Sequence, residues 1–255
     1  MRQLFTLAKK DLLEITRTRR LHIIGFIFLF AAISSPILAK LIPEIFKNLA
    51  TPGLTITIPT PTYKDAIDQY IKNLSQIVLF VMIFVLAGAI SDEKSKRYLE
   101  ILISKPVSRG NYIFAKFVTY LGVTKIVFIL ASLIFAVYTY SLFGSYPIVN
   151  FIIVAVLVLI YILLILSATL SISAMVSNSF LAAGGAIFFF FLINIFSALF
   201  EKFNIYNPVY ILGNYQSILK NGWNNDFLPS SIVSIILIFV FIFIAIISFQ
   251  RQEID

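Results

Sequence analysis

Long apolar runs alternate with short polar connections along this chain, and the runs have the length that lipid demands. They fall at 21–39, 74–90, 120–142, 151–175, 180–200 and 229–249, six in all. About 20 mostly apolar residues cross the hydrocarbon as a helix, because lipid offers an open backbone no hydrogen-bond partner. The second run is short as written, and its helix should start nearer Ile71. The third has Lys125 at its head, a side chain that can snorkel to the surface or line a path. The first run is longer than the core of a cleavable leader and predicts a retained span.

Composition agrees with the pattern. Apolar residues make up 60% of the chain and charged residues 13%, against about 45–50% and about 25% in soluble domains. The expected fold is therefore all-α and integral to the membrane. It would be a single domain over 1–255, with six transmembrane helices.

With no cysteine and one histidine, His22, no disulfide framework or multi-histidine metal site is expected. The net charge of +8 does not imply nucleic acid, because the cations cluster beside the spans. Thirteen of them fall on one set of connections: Arg2, Lys9, Lys10, Arg17, Arg19, Arg20, Lys94, Lys96, Arg97, Lys105, Arg109, Lys116 and Arg251. Six fall on the other: Lys40, Lys47, Lys64, Lys72, Lys202 and Lys220. The positive-inside rule then places both termini in the cytosol.

The connections differ in character. Residues 1–20 predict an amphipathic helix on the inner leaflet, with Leu4, Ala8, Leu12 and Ile15 in one stripe and Phe5 beside it. Residues 40–70 form a Pro-rich outer loop, and 201–228 form a longer outer segment. In that segment Tyr206, Tyr210, Tyr215 and Trp223 suit the membrane interface. Asn73-Leu74-Ser75 matches a glycosylation sequon at the edge of a span. Polar groups inside spans are few. Asn194 in the fifth and Ser167, Thr169 and Ser171 in the fourth serve either helix packing or a path, with Asn194, Ser167 and Ser171 the path candidates.

One connection is denser in charge than the rest. Residues 91–110 read SDEKSKRYLEILISKPVSRG, which predicts a short amphipathic helix opened by Ser91, Asp92 and Glu93. Asp92 with Lys96, and Glu93 with Arg97, are opposite charges four apart. Leu99, Leu102 and Ile103 repeat at helical spacing, with Tyr98 and Ile101 widening the face. Pro106 ends the run, and Ser108 starts a helix leading through Lys116 into the third span. A solvated linker would account for the charge, while the wide apolar face argues for a surface that docks.

This stretch resembles permeases of ABC-type transporters of the second type, which are mostly exporters. Such permeases carry acidic residues, then a Leu-Glu-x-Leu-Leu core, then Pro-x-Ser-Arg, then a Lys entering the third span. Here those are Asp92 and Glu93, then Leu99, Glu100, Leu102 and Ile103, then Pro106, Ser108 and Arg109, then Lys116. Arg97 and Tyr98 stand where the family often has Gly-Thr. The N-terminal helix, the six spans and NPVYILGNYQSIL at 207–219 extend the resemblance over the full length.

The resemblance implies a plasma-membrane permease half that dimerises with a second copy or a homologue. Residues 91–110 would couple it to two separate ATP-binding subunits, which carry the ATP and magnesium, and 201–228 would be partly re-entrant. This chain has no G-x-x-x-x-G-K-[ST] loop, so no nucleotide or other cofactor is expected on it. An ion-coupled carrier would place acidic residues among its spans, and the six runs contain none. A membrane-embedded enzyme would need a converging acid, base, nucleophile or metal, for which the runs hold no set. A purely structural membrane subunit is the other alternative.

Overall fold

The computed structural model describes residues 2–49, 60–95 and 108–252, and every regular element among them is helical. The elements are α1 (Arg2–Arg17), α2 (Arg20–Leu49), α3 (Tyr63–Asn73), a π turn (Leu74–Val78) and α4 (Leu79–Ser95). Then come α5 (Arg109–Phe143), α6 (Ile148–Met175), α7 (Ser179–Leu199), a 3₁₀ turn (Glu201–Tyr206), α8 (Tyr210–Asn221) and α9 (Phe227–Arg251). Six stretches are long and apolar enough to cross a membrane: α2, α3 with α4, α5, α6, α7 and α9.

Except for α7, the spanning helices are longer than the apolar runs that announce them. Span two begins at Tyr63, where Thr62 and Asp65 close a capping box, eleven residues ahead of the run at 74. Span three begins at Arg109, with the Ser108 hydroxyl accepting from the Asn111 N–H at 3.1 Å as the sequence predicts. Polar turns add helix beyond the lipid, which hydropathy alone does not register.

α6 is the central helix, with α4, α7, α8 and α9 packed around it. Lipid tails are as apolar as leucine, so helices here associate through close packing rather than exclusion of water. At Gly185 of α7, an added Cβ would lie 3.1 Å from Ile172 of α6, so the small residue sets how near the two helices come. Several buried hydroxyls return to their own backbone, as in Thr124 to Tyr120 O (2.9 Å) and Ser234 to Ser230 O (2.6 Å).

Within 201–228, α8 lies against α6 with Ile211, Tyr215, Ile218 and Leu219 buried. Tyr215 is therefore a packed residue, whereas Tyr206 and Trp223 stay exposed.

Candidate functional site: the charged end of the bundle

One end of the bundle gathers the ends of α1, α4, α5, α6 and α9, and here charge is buried. Lys116, on the first turns of α5, has no exposed surface. Its ammonium lies 2.8 Å from Glu93 Oε1, 3.0 Å from Glu14 Oε2 and 3.1 Å from Asp11 Oδ1. Lys10 reaches the same Glu93 oxygen at 2.9 Å, and the Tyr112 hydroxyl donates to the other. Arg20, at the head of α2, donates to Asp92 Oδ2 at 2.9 Å, to Tyr120 Oη at 2.8 Å and to Gly88 O at 3.1 Å.

The carboxylate oxygens of Asp11, Glu14 and Glu93 lie within 4.8 Å of one another, a spacing a metal ion would accept. The Lys116 ammonium stands among them and supplies the neutralising charge itself. Three cations (Lys10, Arg20, Lys116) face four carboxylates (Asp11, Glu14, Asp92, Glu93). Burial raises the Glu14 carboxyl above its ordinary value, and the adjoining Glu93 side chain adds to the rise.

This network gives the N-terminal helix a second, docked face. The row it buries is Leu7, Asp11 and Ile15, four residues apart, packed on α5. Of the predicted stripe only Ile15 is buried, while Phe5, Leu12 and Leu13 are 76%, 46% and 50% exposed. Phe5, Leu12 and Leu13 thus look outward, while Leu7 and Ile15 together with the charged Lys10, Asp11 and Glu14 dock α1 to the bundle.

It corrects the reading of Ser91 and its neighbours. Ser91 caps no helix. It is buried near the end of α4, donating to Ala87 O at 2.8 Å, while its N–H reaches the Ser173 hydroxyl of α6 at 3.1 Å. Asp92 and Glu93 take partners from α1, α2 and α5 that no i,i+4 pattern suggests.

Residues Arg97, Tyr98, Leu99, Glu100, Leu102, Ile103 and Pro106 lie outside the described residues. The two roots of that segment are described, and each is bolted to a helix end. Lys94 of α4 donates to Ala174 O, at the end of α6, and to Gln252 Oε1 at 2.6 Å. Arg109 of α5 donates to Gln252 O at 2.7 Å and Gln250 O at 3.3 Å, at the end of α9. Cations at helix C-termini meet carbonyls that have no helical partner.

The path candidates do not converge. The Ser167 hydroxyl donates to Leu164 O at 2.7 Å inside the bundle, and Ser171 is buried beside it on α6. Asn194 is half-buried on α7 and donates to Phe190 O at 2.7 Å. Lys125 is exposed on α5. Asn73, the sequon residue, is buried and donates to Ser35 of α2, so it is not a glycan acceptor in this fold.

The sequence reading passed over Asp11 and treated Lys116 only as a cation entering a span. The available signal was an acidic residue set between Leu7 and Ile15 at helical spacing.

Six apolar helices with ions buried at one end define a polytopic membrane protein with a braced polar face. The chain belongs to the ABC-2 family of transporter proteins, whose pattern it matches over residues 5–254. No curated protein matches it. Membership makes it a multi-pass membrane subunit of the permease kind, associated as a class with ABC-type ATP-binding subunits.

Proposed function

We propose that this chain is the membrane half of an ATP-driven exporter, and that residues 91–110 receive the force. It works as a dimer, with a second copy or a homologous permease, in the plasma membrane with both termini cytosolic. Two separate ATPase subunits bind ATP and magnesium and dock on the charged end. Asp92, Glu93, Arg97, Tyr98, Leu99, Glu100, Leu102, Ile103, Pro106, Ser108 and Arg109 form the coupling region.

The observation that carries this reading is the bracing of the region's two roots. Through Glu93 and Lys116 a displacement reaches α1 and α5, and through Asp92 and Arg20 it reaches α2. Through Lys94 and Arg109 it reaches the ends of α6 and α9. A solvated linker needs no such bolts. ATP shifts the spans only if the ATPase pair binds their two arrangements with different affinity, and a braced root is what makes those arrangements distinguishable from outside.

Among the path candidates, Asn194 stands on a half-buried face of α7, while Ser167 and Ser171 are enclosed within one chain. We therefore assign Asn194 to the path and the two serines to packing. Spans dominated by Phe, Ile, Leu and Val suit a hydrophobic or amphipathic cargo. The test replaces Glu100 and Arg109 together with Ala. Assembly with the ATPase or ATP-driven transport is then lost, and survival of both would overturn the coupling role.

A further inference from the structure

Span two carries a π turn at Leu74–Val78, and span one carries Pro36 inside its helix at the same level. A π turn closes i→i+5 hydrogen bonds, so it holds one residue more than a regular turn and interrupts the ladder. In α2, Pro36 lacks an N–H and leaves the Ala32 carbonyl without its helical donor. The two breaks are joined. Asn73 Nδ2 donates to Ser35 Oγ at 2.9 Å, and Ser35 Oγ donates to Ala31 O at 2.6 Å, all buried.

The packing partners change at this level too. Outside it, α3 lies on α2, with lesser contact to α5. There Tyr70 stacks on Phe135 at 4.2 Å and shares a 3.1 Å hydrogen bond with Ser132. Inside it, α4 packs on α6 and α7. The outer parts of α2 and α3 face a cavity of about 720 Å³ whose far wall is Leu212 and Tyr215 of α8. One set of contacts crosses to that wall: Asp68 accepts from Tyr215 Oη at 2.8 Å and from Gln216 Nε2 at 2.9 Å.

From these juxtapositions we infer that the outer parts of α2 (from Pro36) and α3 form one hinged unit, pivoting at the joined breaks and latched to α8 through Asp68. The cavity gives it room to move, and the polar joint at Asn73 and Ser35 keeps the two helices turning together. α5, which runs unbroken past Ser132, is the rail against which Tyr70 slides.

The chain has no cysteine, so spin labels report on chosen sites alone. Three pairs in the full chain separate the motions. Lys64→Cys with Phe84→Cys spans the joint, Lys40→Cys with Lys72→Cys lies within the outer unit, and Phe84→Cys with Leu181→Cys lies below it. The pair across the joint gives a broader distance distribution than either of the others. Deleting Ile77, a half-exposed residue of the π turn, closes the turn into regular helix without re-aiming either part and narrows that distribution. Releasing the latch by Tyr215→Phe with Gln216→Ala broadens it. A joint-spanning pair no broader than the other two, or one that the latch variant leaves unchanged, would overturn the hinge. The latch variant decides the matter alone if the deletion fails to reach the membrane. None of these readouts needs the ATPase, so failure of the hinge and failure of the proposed coupling are separate results.

Discussion

The second span is fastened at both ends, and the two fastenings are chemically unlike. At the α4 end, Glu93 and Asp92 meet Lys116, Lys10 and Arg20, with Lys116 wholly buried. At the α3 end, one carboxylate, Asp68, accepts from the neutral donors Tyr215 and Gln216. A buried ion pair is expensive to break, because the stranded partner keeps its desolvation cost. Breaking the bonds to Asp68 strands no opposite charge, and at this half-exposed carboxylate water can take the donors' place. The α4 end is therefore the costlier fastening to break, and the α3 end the cheaper one.

Removing Lys116 should produce the largest effect. Lys116→Met leaves Asp11, Glu14 and Glu93 facing one another and costs about 3–5 kcal/mol. It frees α1, so a thiol at Ile15, buried in the wild type, becomes open to labelling. If Ile15→Cys stays protected in that background, the ion cluster does not dock α1.

Glu93→Gln comes next, at about 1.5–3 kcal/mol. The amide still accepts from Tyr112 but no longer balances the two lysines. Thermal unfolding in detergent measures the loss. Tyr215→Phe, at the opposite end, should cost about 1.5 kcal/mol, the low end for a bond to a charged group, because water can replace the phenol at half-exposed Asp68. Equal losses at the two ends would erase the contrast.

The smallest effect is one of pH. Glu14 holds a raised pKa in the docked state, so its contribution to docking is full below the ordinary carboxylate value. That contribution is lost as pH rises through the raised one. From about pH 4 toward neutrality, wild-type α1 should loosen relative to a Glu14→Gln variant, seen as faster labelling of Ile15→Cys. Parallel pH profiles for the two would mean that docking does not raise the Glu14 pKa.

The six spans were legible because lipid imposes a length and a composition, and both are written in runs such as 151–175. Ser108 was legible as a cap because capping is local. The charged end was not. Lys116 finds Asp11 more than a hundred positions away, and only the fold decides that α1 turns the row of Leu7, Asp11 and Ile15 toward α5. The π turn was invisible for a different reason. Leu74–Val78 sits where the polar α3 gives way to the apolar α4, and a change of hydrogen-bond register leaves no trace in hydropathy.

The central claim is that the charged end receives an ATP-driven partner. Ser108 is exposed at the root of the coupling region, and the chain has no other thiol to confuse a single-cysteine experiment. Ser108→Cys, carrying a thiol-anchored photocrosslinker in native membranes, should give an adduct with a nucleotide-binding subunit, while Lys64→Cys at the opposite end should give none. An adduct from Lys64→Cys and none from Ser108→Cys would contradict the account.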